Sequence, residues 1–240
     1  MKYIVANWKS NKTISEAQEW IGKLRKANLK IPETTKVILC PSFFHLTIIK
    51  KELENQPLSF SLKLGAQNLS PYPEGTYTGE VTARMLSEFV KYVILGHSER
   101  RQIFGETNKE IKLKTIQALK NNIIPILAFS NLNQIKASVK DLKQKERKKI
   151  LLMYEPTNAI SKQVGPIGVG QAVSLKKVLP MIKKVKHLFP QNEILYGGSV
   201  KSHNIALYLA QSEINGVVSG SASQNAEEFI KMLQLSSQAV

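Results

Sequence analysis

Three residues able to move protons or hold charge each stand just past a short apolar run: Lys9 after Tyr3–Asn7, His97 after Tyr92–Gly96, and Glu155 after Ile150–Tyr154. A carboxylate can take a proton from a carbon beside a carbonyl. An imidazole can move protons between oxygens, and an ammonium can stabilise the negative oxygen that forms. Taken singly, each is ordinary. A strand-end histidine is commonly a hydrogen-bonded structural residue, Glu99 with Arg100 and Arg101 would pass as a surface ion-pair cluster, and Lys9 is one of many lysines. Held together, they form a set for acid–base chemistry beside an oxyanion. Two glycine turns add anion-binding capacity. Gly197-Gly198-Ser199 follows Ile194–Tyr196, and Gly220-Ser221-Ala222-Ser223 follows Gly216–Ser219. Such turns expose main-chain amides that can cradle an oxyanion, although either alone reads equally as a plain strand-to-helix turn.

These residues can meet only if the apolar runs are parallel strands of one sheet. Runs of strand character lie at 3–7, 36–40, 59–66, 92–96, 123–128, 150–155, 193–197 and 215–219, with helical periods between them. Ala17, Trp20, Ile21 and Leu24 recur at helical spacing behind Thr13 or Ser15 as the cap. Thr107–Glu110 is a capping box that opens a helix with Ile111, Thr115, Ala118 and Leu119 inward. Val178, Leu179, Ile182 and Val185 mark a late helix, and Phe229, Ile230 and Leu233 the last. Eight strand–helix units over residues 1–240 fit an α/β chain folded as one (β/α)8 TIM barrel. The candidate groups would then share the edge where such barrels do chemistry, and the glycine turns would follow strands seven and eight, where phosphate is often held. A doubly wound open sheet fits the same local pattern. The longest irregular stretch, residues 67–80, has the length of a functional or interface loop.

Composition narrows the class. A hydrophobic fraction of 42% and a charged fraction of 22% are those of a globular domain, not a disordered chain. The formal net charge of +16 is spread over many segments, and no nucleic-acid module signature accompanies it. The densest basic stretch, Lys136–Lys149, interleaves lysines with Val139, Leu142 and Ile150, as the outside of an amphipathic helix would. We therefore expect no nucleic-acid partner. With one cysteine, Cys40, no intrachain disulfide can form, and its position at the end of an apolar run suits a buried inert thiol. No signal peptide or membrane-length apolar run is evident, so the expected location is cytoplasmic, with no membrane partner.

Together the motifs are specific. Asn7-Trp8-Lys9-Ser10-Asn11, Gly96-His97-Ser98-Glu99-Arg100-Arg101, Tyr154-Glu155-Pro156 and Tyr196-Gly197-Gly198-Ser199-Val200 occur in the order and spacing of triosephosphate isomerases. Gln67-Asn68 and Thr78-Gly79-Glu80 also resemble that family's third loop, so the likeness runs from the first strand to the last helix. The resemblance implies interconversion of dihydroxyacetone phosphate and D-glyceraldehyde 3-phosphate through an enediolate, in glycolysis and gluconeogenesis, with no metal or other cofactor. It implies Glu155 as the base, His97 as the electrophile and proton shuttle, Lys9 and Asn7 at the substrate, and Glu99 and Ser98 in support. A carboxylate base working beside a neutral imidazole at a helix N-terminus is that family's known arrangement. Ser161, Ser199, Gly220 and Ser221 match its phosphate-contacting positions, and the loop 67–80 matches its dimer loop, so a homodimer is expected.

The chain also departs from the pattern. The stretch after Pro156 has Asn158 where the family usually has tryptophan and Ser161 where it has glycine, and Ser221 replaces the second glycine of a pair. The fifth strand ends Leu127-Ala128-Phe129-Ser130-Asn131, where the family has a cysteine and a Gly-Glu pair. None of these removes a proton-handling group. The expectation is an active enzyme with an altered lid, one that lets more enediolate lose phosphate to give methylglyoxal. Two rivals stand beside this reading: another phosphosugar isomerase, which would need a different acid–base set, and a non-enzymatic binding protein exploiting the positive charge.

Overall fold

The computed structural model describes residues 1–156 and 173–238. Eight parallel strands close on themselves: β1 Lys2–Asn7, β2 Thr35–Cys40, β3 Leu62–Ala66, β4 Tyr92–Leu95, β5 Ile124–Phe129, β6 Leu151–Tyr154, β7 Ile194–Tyr196 and β8 Gly216–Ser219. Each pairs with the next, and β8 returns to β1 with Tyr3 opposite Gly216 and Ala6 opposite Ser219. The strand order excludes the open doubly wound sheet. The helices are α1 Ile14–Lys26, α2 Leu46–Asn55, α3 Ala83–Ser87, α4 Ser98–Ile103, α5 Asn108–Lys120, α6 Leu132–Val139, α7 Gln144–Arg147, α8 Leu175–Leu188, α9 Ser202–Leu209, α10 Ser221–Gln224 and α11 Ala226–Gln238. A 3-10 turn, Phe43–His45, precedes α2.

The strands read as nearly unbroken apolar runs because both faces are covered. Alternate residues point inward, among them Tyr3, Val5, Ile38, Ile94, Met153 and Leu195, and fill the barrel. Their neighbours, such as Ile4, Ala6, Leu39, Leu95 and Leu152, join the layer against the helices. Thr13, not Ser15, caps α1: its side chain accepts the Glu16 N–H, and the Glu16 carboxylate takes the Thr13 N–H at 2.7 Å. Thr107 and Glu110 repeat this box at α5.

Two expectations need correction. The third strand starts at Leu62, not residue 59, because the Ser59 hydroxyl is drawn to the Leu29 carbonyl at 2.8 Å. The stretch Lys136–Lys149 is not one helix. Val139, Leu142 and Ile150 are buried and most of the lysines exposed, as its alternation suggests. The helix nevertheless breaks after Val139, where the Glu146 carboxylate takes the Lys143 N–H at 2.7 Å and starts a new turn.

Candidate active site

At the C-terminal edge of the barrel, β1, β4 and β6 deliver Lys9, His97 and Glu155 to one place. Strand β4 is followed at once by Gly96, whose φ of 66° turns the chain sharply. A side chain there would meet the Arg101 guanidinium at 2.8 Å and Ile111 at 3.0 Å. The turn makes His97 the cap of α4: its Nδ1 accepts the Glu99 N–H at 3.2 Å. With Nδ1 accepting, the ring proton belongs on Nε2, which faces Glu155 Oε1 at 3.1 Å. The other carboxylate oxygen of Glu155 accepts the Ser98 N–H at 2.9 Å.

Glu155 is only 4% exposed. Burial holds its pKa above the ordinary carboxylate value, opposed by His97, the Ser98 amide and Lys9, while Glu99 adds to the rise. A carboxylate so placed is a stronger base than one in water, and its two donors orient it.

Lys9 adopts φ 54°, the left-handed region that costs a non-glycine residue strain. Its peptide is fixed from three sides. Asn7 Oδ1 accepts the Lys9 N–H at 3.0 Å, and the Lys9 carbonyl accepts from Gln67 Nε2 at 2.8 Å and from the Ser42 hydroxyl at 3.2 Å. The Lys9 ammonium pairs with Glu99, whose second oxygen lies 3.6 Å from His97 Nδ1. One carboxylate thus borders both the cation and the ring.

The glycine turns reach the same place. A Cβ on Gly220 would lie 3.0 Å from Lys9 Cε and 3.5 Å from Nζ, so the turn after β8 runs against the lysine. A Cβ on Gly197 would meet Met153 at 2.7 Å and Glu155 Cγ at 3.1 Å, so the turn after β7 runs against the carboxylate. Gly220 caps the short α10, which Ser221 begins, and the Ser199 carbonyl accepts from Asn204 Nδ2 at 3.0 Å. Ser161, Asn158 and the expected lid lie outside the described residues.

A cavity of about 290 Å³ opens on the Lys9 and His97 side of this cluster, lined by Asn7, Lys9, Gln67, His97 and Glu99 together with Phe43 and Phe104. That is the low end of ordinary ligand pockets, roughly 300–1,000 Å³, and suits a small ligand. A surface groove of equal volume between α1 and α2, lined by Gln18, Lys51, Glu52 and Asn55 among others, lies away from these groups.

Sequence reasoning missed three supports. Ser42 and Gln67 hold the Lys9 peptide, and both stand just past the ends of β2 and β3, a position that could have flagged them. Arg101 ties the site edge to α5 and β5, donating to the Gly96 carbonyl at 2.7 Å, Asn108 Oδ1 at 2.7 Å and the Ala128 carbonyl at 3.3 Å. Nothing local distinguishes it from a surface arginine.

Comparison with known proteins agrees with this geometry. The family model for triosephosphate isomerase matches residues 2–236. The chain is similar to the triosephosphate isomerase of Mesomycoplasma hyopneumoniae (strain 7448), 36% identical over 254 residues that cover 97% of this chain and 98% of that protein. It is 36% identical over 251 residues to that of Mycoplasma mobile, covering 97% and 99%. With that of Dictyoglomus turgidum the identity is 35% over 245 residues, covering 95% and 96%.

Proposed function

The chain belongs to the triosephosphate isomerase family, and from that premise we propose which of its residues carry the reaction and in what setting. It is an isomerase that interconverts dihydroxyacetone phosphate and D-glyceraldehyde 3-phosphate, a step of glycolysis.

Glu155 removes the proton from the carbon beside the carbonyl and returns it to the neighbouring carbon. His97 directs its Nε2–H at the substrate oxygens and relays protons between them. Lys9 stabilises the enediolate oxygen and attracts the phosphate, with Asn7 beside it. Ser199, Gly220, Ser221 and Ser161 contact the phosphate, whose binding energy is available to offset ordering of the site. Glu99 holds Lys9, and the Ser98 amide holds Glu155 at rest.

The observation that carries this reading is the contact between His97 Nε2 and Glu155 Oε1 at 3.1 Å, with a main-chain amide on Nδ1. Acid and base are joined directly, and substrate must part them. The carbonyl oxygen then takes over the imidazole N–H as the carboxylate turns to the carbon. A coupled assay on Glu155→Gln tests it. The expected loss in kcat is at least about a thousandfold, since a general base alone contributes roughly 10²–10⁴ and such sets act as a unit. A loss under tenfold refutes the assignment.

The working unit is a homodimer joined through loop 67–80. That loop is tied to α3 by the Arg84–Glu74 ion pair and braced from within by Tyr72 stacked on Tyr77 at 4.6 Å, and both tyrosines are exposed. Phe104, 68% exposed, lines the cavity, and the ring of Phe44 is exposed as well, apolar surface of the kind a neighbouring subunit covers. An active monomer in sedimentation at micromolar concentration would overturn this. No helix among the described residues is long and apolar enough to cross a membrane, and the cytoplasm is the setting that suits a glycolytic step and a single buried thiol.

A further inference from the structure

The 3-10 turn after β2 is joined to Lys9 at both of its ends. Ser42, which opens the turn, donates its hydroxyl to the Lys9 carbonyl at 3.2 Å. His45, which closes it, meets the ring of Trp8, the residue before Lys9, edge-on at 87° with ring centroids 5.8 Å apart. Its ring centroid also lies 3.9 Å from that of Phe44, the two planes tilted by 38°.

His45 is 0% exposed, and among the described residues neither ring nitrogen has a hydrogen-bond partner; nor does Trp8 Nε1. The main chain of Lys12 and Thr13 lies beside the ring but short of hydrogen-bond geometry. A neutral imidazole is tolerated here at the cost of two unmade hydrogen bonds, less than the cost of burying a charge. An imidazolium is not, because a buried charge needs a partner. The charged group facing it from the β1–α1 loop is Lys12, of the same sign, and the rings of Trp8, just past β1, and of Phe44, on its own turn, carry no charge.

We propose that His45 is a positioning residue for Lys9: the neutral ring seats the turn beneath Trp8, and its protonation releases the turn and withdraws Lys9 from the substrate. The inference rests on placing Lys9 at the substrate. Burial, foremost, holds the His45 pKa below the ordinary value, with Lys12 adding to the fall and the main chain of Thr13 and Lys12 opposing it. The seated arrangement therefore binds a proton less readily than the released one. Seating is complete above the ordinary imidazole pKa of about 6.5 and is lost progressively as pH drops through it toward the lowered value.

The test compares KM for glyceraldehyde 3-phosphate at about pH 8 and about pH 5.5, in the wild type and in His45→Phe, which cannot titrate. The substrate phosphate also titrates in this range, but equally for both proteins. The rise in KM on acidification should be larger in the wild type by about fivefold or more, the lower end of typical coupling between sites. Equal rises overturn the inference. NMR of the wild type gives a reading that needs no variant. With four histidines and two tryptophans in the chain, the His45 ring and Trp8 indole signals are assignable. Both should move together, at a midpoint below the ordinary one; an ordinary His45 titration or an unmoved Trp8 signal overturns the inference. Lys9→Met separates the two readings: intact kinetics in that variant overturn the placing of Lys9 as well, whereas a crippled Lys9→Met with equal KM rises overturns the role of His45 alone.

Discussion

Replacing Gly197 with alanine pushes a methyl group into the gap between Glu155, the proposed base, and the β6 side chain behind it. That carbon would sit 2.7 Å from Met153 Cγ, 2.9 Å from its sulfur and 3.1 Å from Glu155 Cγ, where ordinary contact begins at 3.4 Å. Met153 is 0% exposed inside the barrel and cannot swing out to solvent. Overpacking of this kind costs about 1–3 kcal/mol, and a chain of this size loses about 2–4 °C of Tm per kcal/mol. Glu155 must also yield by at least about 0.3 Å to reach ordinary contact. If a 1 Å misplacement costs about a hundredfold, a proportionate loss in log rate gives a kcat lower by about fourfold, and by about tenfold at half an ångström. KM should change little, because Glu155 does not hold the phosphate. The assay is steady-state kinetics with a parallel thermal melt. Adding Met153→Ala, which removes both of the closest atoms, should restore part of kcat, so that the two substitutions are non-additive. A kcat for Gly197→Ala within twofold of the wild type, at a clearly lowered Tm, would show that the base has slack the distances deny.

Other perturbations follow from the same contacts. Because burial raises the pKa of Glu155 and the proposed base must be ionised, the acid limb of kcat/KM should fall above the ordinary glutamate value of about 4.3; a midpoint at or below that value, in a profile of kcat/KM against pH, contradicts it. The fold also holds this proton more tightly than the unfolded chain does, so the stability associated with it is present in acid and lost as pH rises through the raised value. Glu155→Gln should accordingly melt higher than the wild type near pH 8, with the two converging near pH 4; a variant that melts lower at pH 8 counts against the sign. Gln67→Ala removes bonds to the Lys9 and Cys40 carbonyls at 2.8 and 2.9 Å. It should cost about 1–3 kcal/mol in a chemical melt and lower kcat/KM severalfold by freeing the Lys9 peptide. Unchanged kcat/KM would show that the left-handed backbone of Lys9 holds without it.

The barrel was legible because its strands are buried on both faces, so each stands out as an apolar run between amphipathic helices. Lys9, His97 and Glu155 were legible because each stops such a run. Boundaries were less so, since tertiary contacts set them: Ser59 leaves the third strand for Leu29, a partner about thirty positions away in the chain. The break between α6 and α7 turns on one carboxylate, Glu146, whose cap competes with a continuous helical period. Neither the strain at Lys9 nor the tautomer of His97 is written in composition or spacing. The first is held by Ser42 and Gln67 from other strands, and the second by a main-chain amide whose direction exists only once α4 has formed.

Pairing of β8 with β1 ties the first strand to the last. Gly216 approaches the Tyr3 carbonyl so closely that a Cβ would come within 2.2 Å of it. Lys9 and Gly220, contributed from either side of that seam, become neighbours only when the ring shuts. Turnover is therefore an all-or-nothing report on closure. A chain unzipped at that seam keeps the strands that carry His97 and Glu155, yet Lys9 loses Gly220 beside it. Synthesis must pass β8 and Gly220 before this arrangement can form.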